Sequence, residues 1–138
     1  LALSTIQPLC QRLNFTSKHP SSHWIHTTNA ELGGYIYSLT RLSQFLDRPD
    51  LLEYAQLASN HINPELSTFG LLNGLSGAIL GLLALHKATH APLPLHQALQ
   101  CGEKLLENYQ IWSGVSGFAY GCSGVAYALL RLFLVSQD

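Results

Sequence analysis

The 138-residue sequence has no methionine, three cysteines and few charges. Charged residues make up 11% of it, against roughly 25% in an average soluble domain. Intrinsic disorder is excluded, because it needs high charge with low hydrophobicity, and here 47% of residues are hydrophobic. A nucleic-acid binder is also excluded: the formal net charge is -1 and no basic stripe is present. Cys10, Cys101 and Cys122 are too few and too scattered for a disulfide framework. Free thiols make the cytoplasm the expected compartment. The opening residues lack a basic segment and a small-residue cleavage site, so no signal peptide is read there. A chain without methionine, and with so few surface charges, reads as processed or as part of a larger protein.

Two long uncharged stretches raise a membrane reading. Glu65 to Lys87 encloses 21 such residues and Glu107 to Arg131 encloses 23, enough for a span of about 20. Both are broken by glycine, serine and asparagine. Their continuous apolar parts suit buried core helices better, and no membrane span is expected.

Helical periodicity dominates the chain. Tyr35, Leu39, Leu42 and Leu46 mark one apolar stripe. Leu51, Tyr54, Ala55, Ala58 and Ile62 mark a second, opened by Asp50 with Glu53 three residues on, a capping-box pattern. Asp47-Arg48-Pro49 is then the turn between antiparallel helices. Leu95, Ala98, Leu99, Gly102, Leu105, Leu106 and Tyr109 mark a third amphipathic face. Ala78 to Leu85 and Val125 to Leu134 are apolar nearly all round, as helices buried on most sides are.

Inner-type and outer-type helices therefore alternate, and an internal repeat accounts for it. The segments ELGGYIYSLTRL, GLSGAILGLLAL and GCSGVAYALLRL each place glycine at a helix start. Gly34, Gly77 and Gly124 hold the same place, 43 and then 47 residues apart, one helical hairpin per repeat. Glycine there permits positive φ and close backbone approach. Hairpins must stack to bury their apolar faces. The expected fold is all-α, a partial α/α toroid with inner and outer helix layers. Residues 1–31 read as the outer helix of a preceding repeat plus a loop from Ser17 to Asn29. Residues 32–138 hold about two and a half repeats. An open-ended stack would leave Leu80, Leu83, Leu129 and Phe133 without neighbours, which predicts association or poor folding of the isolated chain.

Candidate reactive groups are sparse. His19, His23 and His26 have metal-ligand spacing but surround Pro20 in the expected loop. His86 and His90 are four apart at a helix end, with no carboxylate or cysteine nearby to complete a zinc site. Cys122, at a helix start, is a candidate reactive thiol; the plainer reading is a small residue at a tight turn. Cys10 and Cys101 sit on presumed outer helices and pack there. The glycine-bearing starts match no phosphate-binding fingerprint, and no carboxylate pair suggests acid/base work.

The segments ELGGYIYSLTRLSQFL, LLNGLSGAILGLLALHKAT and SGFAYGCSGVAYALLRLF, in that order, resemble the cyclase domain of lanthionine synthetases. The pattern is most similar to the bifunctional class II, LanM-type enzymes and runs from about Leu32 to Asp138. The resemblance implies an α/α toroid and a role in lanthipeptide biosynthesis, the modification chemistry of lantibiotics. There a peptide cysteine thiol adds to a dehydrated serine or threonine, and zinc activates the thiol. It implies a lanthipeptide precursor as partner, together with the remainder of a larger synthetase. Gly33, Gly34, Gly74, Gly77, Gly121 and Gly124 become the substrate-facing glycines.

At the reactive positions the sequence departs from the family pattern. The motif aspartate is Gly70 here, and the histidine of Gly-Phe-x-His-Gly is Tyr120. The family's zinc ligands, a cysteine and a later Cys-His pair, have no counterpart, so no bound zinc is expected. The chain is therefore expected to be a fragment or degenerate copy, inactive in cyclisation on its own. The alternative is a non-catalytic repeat module that binds a peptide or a partner subunit. A structural repeat from another toroid enzyme is a third reading, although the carboxylate pair of a glycosidase is missing.

Overall fold

The computed structural model describes residues 29–65 and 68–137. The expected outer helix over residues 1–14, the loop before Asn29, His19, His23, His26 and Cys10 lie outside the described residues. Among the described residues there are six helices and no strand: α1 (Asn29–Phe45), α2 (Asp50–Ser59), α3 (Leu75–Thr89), α4 (Pro92–Glu107), the single turn α5 (Tyr109–Trp112) and α6 (Cys122–Ser136).

The fold is an all-α helical repeat in two layers. α1, α3 and α6 stand side by side as the inner layer, with α3 between the other two. α2 packs back on α1, and α4 packs back on α3, as the outer layer. The core fills the space between the layers. Ile36 and Leu39 of α1, Leu51 and Ala55 of α2, Ile79 and Leu82 of α3, and Ala98 and Leu105 of α4 are all buried there. Each fully buried leucine or isoleucine contributes about 1.5–3 kcal/mol relative to exposure. Gln97 links the outer helices by donating from Nε2 to the Ser59 carbonyl at 3.0 Å.

α1 starts at Asn29, so this residue is helical and not the end of a loop. Its buried side-chain amide pairs with the backbone of Asn63. Nδ2 donates to the Asn63 carbonyl at 2.6 Å, and Oδ1 accepts from the Asn63 N–H at 3.0 Å. The buried stripe of α1 runs through Leu32, Ile36, Leu39, Thr40 and Ser43. Tyr35, expected on that stripe, is 39% exposed. Two apolar phases overlap in this helix, and the one holding Leu32 and Ile36 faces α3.

The turn at Asp47-Arg48-Pro49 is present, with Asp47 in the left-handed region (φ 51). The capping box is not. Pro49 precedes α2, and no side chain caps it. Asp50 instead forms a two-pronged ion pair with Arg48, Oδ1 to Nε at 2.7 Å and Oδ2 to Nη2 at 2.6 Å. A guanidinium competes for the carboxylate more strongly than a backbone amide does.

α3 is buried over most of its length, as its apolar run predicts, although Leu80 and Ala84 are only half-buried; Leu83, expected to lack neighbours, is 6% exposed. α6 is less buried than its apolar run predicts. Only Gly124, Val125, Ala128 and Leu132 are buried, while Leu130, Phe133 and Leu134 stand open to solvent. α6 is last in the inner row and has α3 and α4 as neighbours on one side only. Leu99, Leu106 and Tyr109 are likewise exposed on the outer layer, and Cys101 takes the core place beside Ala98 and Leu105. No helix among the described residues is long and apolar enough to cross a membrane.

Candidate functional site

The inner helices cross on glycine. A Cβ built on Gly33 would lie 2.5 Å from the Gly77 carbonyl oxygen and 2.7 Å from Ala78 Cα. One built on Gly81 would lie 2.9 Å from Gly33 Cα. The α1 and α3 backbones therefore touch, with no side chain between them. Gly34, one residue on, faces open space.

Two loops cap the starts of α3 and α6, and they are copies of one another 47 residues apart. Leu75 N–H donates to the Thr68 carbonyl at 2.9 Å, and Cys122 N–H donates to the Val115 carbonyl at 2.7 Å. Gly77 N–H bonds to the Gly74 carbonyl and Gly124 N–H to that of Gly121, both at 3.1 Å. Gly74 and Gly121 are the N-cap residues, in extended conformation with φ -152 and -121. They are not glycine for a positive φ. A Cβ on Gly74 would strike the Thr68 carbonyl, and one on Gly121 the carbonyls of Val115 and Ser116. Among the described glycines only Gly117 has a positive φ, 112.

The loops also join each other. Leu72 N–H donates to the Ala119 carbonyl at 3.0 Å. A Cβ on Gly70 would lie 2.8 Å from Tyr120 Cα and 3.0 Å from the Ala119 oxygen, with the Asn73 side chain nearer still. Gly70 and Tyr120, singled out separately in the sequence, are thus in contact. Gly70 is buried, and the Tyr120 ring is 61% exposed.

The inner layer encloses a trough of about 650 Å³. Its floor is α3, through Gly77, Leu80, Gly81 and Ala84. α1 forms one wall with Gly34, Tyr37 and Arg41, and α6 forms the other with Tyr127 and Arg131. Lys87 stands toward the C-terminal end of α3, and Leu71 and Leu72 close the loop end. Of the expected substrate-facing glycines, Gly33, Gly34 and Gly77 line this trough. Gly74, Gly121 and Gly124 lie buried beneath the loops they hold.

Sequence reasoning missed the walls. Tyr37 and Arg41 follow Gly34 by three and seven residues, and Tyr127 and Arg131 follow Gly124 by the same offsets. That shared register was the available signal.

The remaining candidates do not assemble. His86 Nδ1 donates to the Ala91 carbonyl at 2.7 Å. His90 ends α3 in the left-handed region (φ 54). Cys101 is fully buried, and burial pushes its thiol up to about 12. Cys122 is free and half-buried at the start of α6. Among the described residues no group of three or more His, Cys, Asp or Glu side chains could hold a metal ion. The described donor set therefore does not fit zinc.

Repeat architectures use an open inner surface of this kind to hold ligands. The chain belongs to the lanthionine synthetase C-like family: the family model described as Lanthionine synthetase C-like protein matches residues 20–137. No curated protein and no solved structure shows a significant match to it.

Proposed function

We propose that this chain holds a lanthipeptide-type precursor in its inner trough and does not itself carry the cyclisation step. Family membership over residues 20–137 supports the relationship to lanthionine synthetase cyclases. In such a cyclase the sulfur of a peptide cysteine forms a bond to the β-carbon of a dehydrated residue. The carbon–carbon π bond is consumed, and the thiol proton is transferred to the α-carbon.

One observation carries the second half of the reading. At the two positions where the motif supplies acid/base groups, this chain places Gly70 and Tyr120 against each other. Glycine offers no carboxylate, and a phenol is a weaker general base than an imidazole at neutral pH. The described residues also gather no zinc donor set, so no bound zinc is proposed for them and no step is routed through one. What the chain's own residues offer is a trough wide enough for a short peptide segment, next to two loops strapped together. The motif order favours the class II, LanM-type branch, and the free cysteines favour a cytoplasmic setting.

A direct test mixes the purified chain, zinc and a dehydrated precursor peptide. The expected result is retention of the peptide without thioether formation above background, read by mass spectrometry after thiol alkylation. Rings formed well above background would overturn the inactive reading. A second reading, a module that seats a partner subunit, is favoured by Leu130, Phe133 and Leu134 exposed along α6.

A further inference from the structure

The charges around the trough are all of one sign. Arg41, Lys87 and Arg131 line it, and no carboxylate does among the described residues. The other described cations are engaged elsewhere: Arg48 pairs with Asp50, and Lys104 with Glu65 and Glu107. Among the described residues Arg41 donates to the neutral Gln44, at 3.2 Å, and takes no ion pair. Lys87 and Arg131 take no ion pair among the described residues. In a chain with a formal net charge of -1, the described lysines and arginines without an ion pair are concentrated at one cavity.

Their arrangement is regular. Tyr37 and Arg41 are four residues apart on α1, hence on one face, and Tyr127 and Arg131 are four apart on α6. Both pairs sit at the same register from their glycine, so the two walls carry matching tyrosine–arginine pairs. At the same register α3 has Leu80 and Ala84, which make an apolar strip between the walls. Adjacent helix axes lie about 8–10 Å apart, and with α3 between them the two wall helices are two such steps apart. A single compact anion would call for converging donors. Cations on opposite walls above an apolar strip suit an extended chain with acidic groups toward both edges and apolar groups beneath. Guanidinium groups bind carboxylates in a two-pronged way, and the tyrosine hydroxyls can bond to peptide backbone.

We infer that the trough selects an acidic peptide segment, with Arg41 and Arg131 binding its carboxylates from the two walls and Lys87 adding a third positive charge. This rests on the reading that the trough holds a peptide and names the chemistry it selects.

The test uses the full chain and three fluorescein-labelled peptides, in which leucine alternates with glutamate, glutamine or lysine. Fluorescence anisotropy reads binding. The glutamate peptide is expected to bind tightest, and to weaken as salt is raised. The R41Q/R131Q double variant is expected to weaken it about tenfold, as the loss of two charge-assisted contacts implies. Both arginines are exposed, and circular dichroism checks that the variant remains helical. Where it does not, Lys87→Gln is measured in its place, with a loss of about threefold expected. Equal binding of the glutamate and glutamine peptides, or unchanged affinity in the variant measured, overturns the acidic selectivity and leaves the peptide-holding reading standing. Tighter binding of the lysine peptide does the same. Failure of all three peptides to bind overturns both.

Discussion

Adjacent glycines on α1 should respond to the same substitution with opposite sign. Gly33→Ala puts a methyl group 2.5 Å from the Gly77 carbonyl oxygen and 2.7 Å from Ala78 Cα. These are backbone atoms of a helix and cannot swing aside, so α1 and α3 must move apart along their shared seam. Overpacking of this kind costs about 1–3 kcal/mol, and backbone obstacles place it at the upper end. Alanine's better helix propensity returns up to about 1 kcal/mol, leaving a net loss of about 2 kcal/mol. Gly34→Ala meets nothing within 4 Å and keeps the whole propensity gain of about 1 kcal/mol. The two variants should therefore differ by about 3 kcal/mol, roughly 10 °C in Tm for a chain of this length. Urea unfolding followed by far-UV circular dichroism, on both variants and the parent, measures it. If Gly33→Ala is neutral or stabilising, the inner helices do not cross backbone to backbone, and the account of the glycine repeat fails.

Asn29→Ala removes the buried amide that pairs with Asn63 and should lower the urea-derived stability by about 1–3 kcal/mol. Iodoacetamide should label Cys122 in the folded protein and Cys101 only once the chain is unfolded, read by peptide mass mapping. Because the folded-state value for Cys101 is raised to about 12 by burial, the unfolded state loses its proton first. Stability from this group is complete below the ordinary thiol range and falls as pH rises toward 12, which a Cys101→Ala variant should abolish. Arg48 holds the Asp50 carboxyl below the usual aspartate value. The stability this contributes is present above the ordinary aspartate range and is lost as pH falls through the depressed value. Both partners are about half exposed, so Arg48→Ala should cost less than about 1 kcal/mol at neutral pH, and nothing in strong acid, in paired urea titrations.

The repeat was legible because each copy must solve the same packing problem. Glycine at one register in three helices pointed to a common structure; the matching hydrogen bonds at Leu75 and Cys122 supply it for α3 and α6, whereas α1 begins at Asn29, so Gly34 lies inside that helix and not at its start. What was not legible depended on neighbours. Leu130 and Leu134 read as core because hydrophobicity records what a face can bury, not whether something covers it; Phe133 is exposed, as an open-ended stack predicts. Tyr35 was placed on the buried stripe because Tyr35–Leu39 and Leu32–Ile36 satisfy the same period one phase apart. The Asp50 cap was lost to Arg48, two residues away, a competition that a capping pattern does not include. The trough was least visible of all. Arg41, Lys87 and Arg131 are spread over most of the described chain, and only the stacking of α1, α3 and α6 brings them to one cavity.

The rung between the loops, Leu72 N–H to the Ala119 carbonyl, has a consequence for substitution at the motif positions. With Gly70 pressed on the Tyr120 backbone, a side chain added at the first motif position must displace the loop that carries the second. An aspartate introduced at Gly70 needs the second loop to retreat. A histidine introduced at Tyr120 sits on a loop whose position is set by the first. Their effects will be non-additive in the way contacting residues generally are. Single substitutions at these positions will therefore understate what the pair can do together.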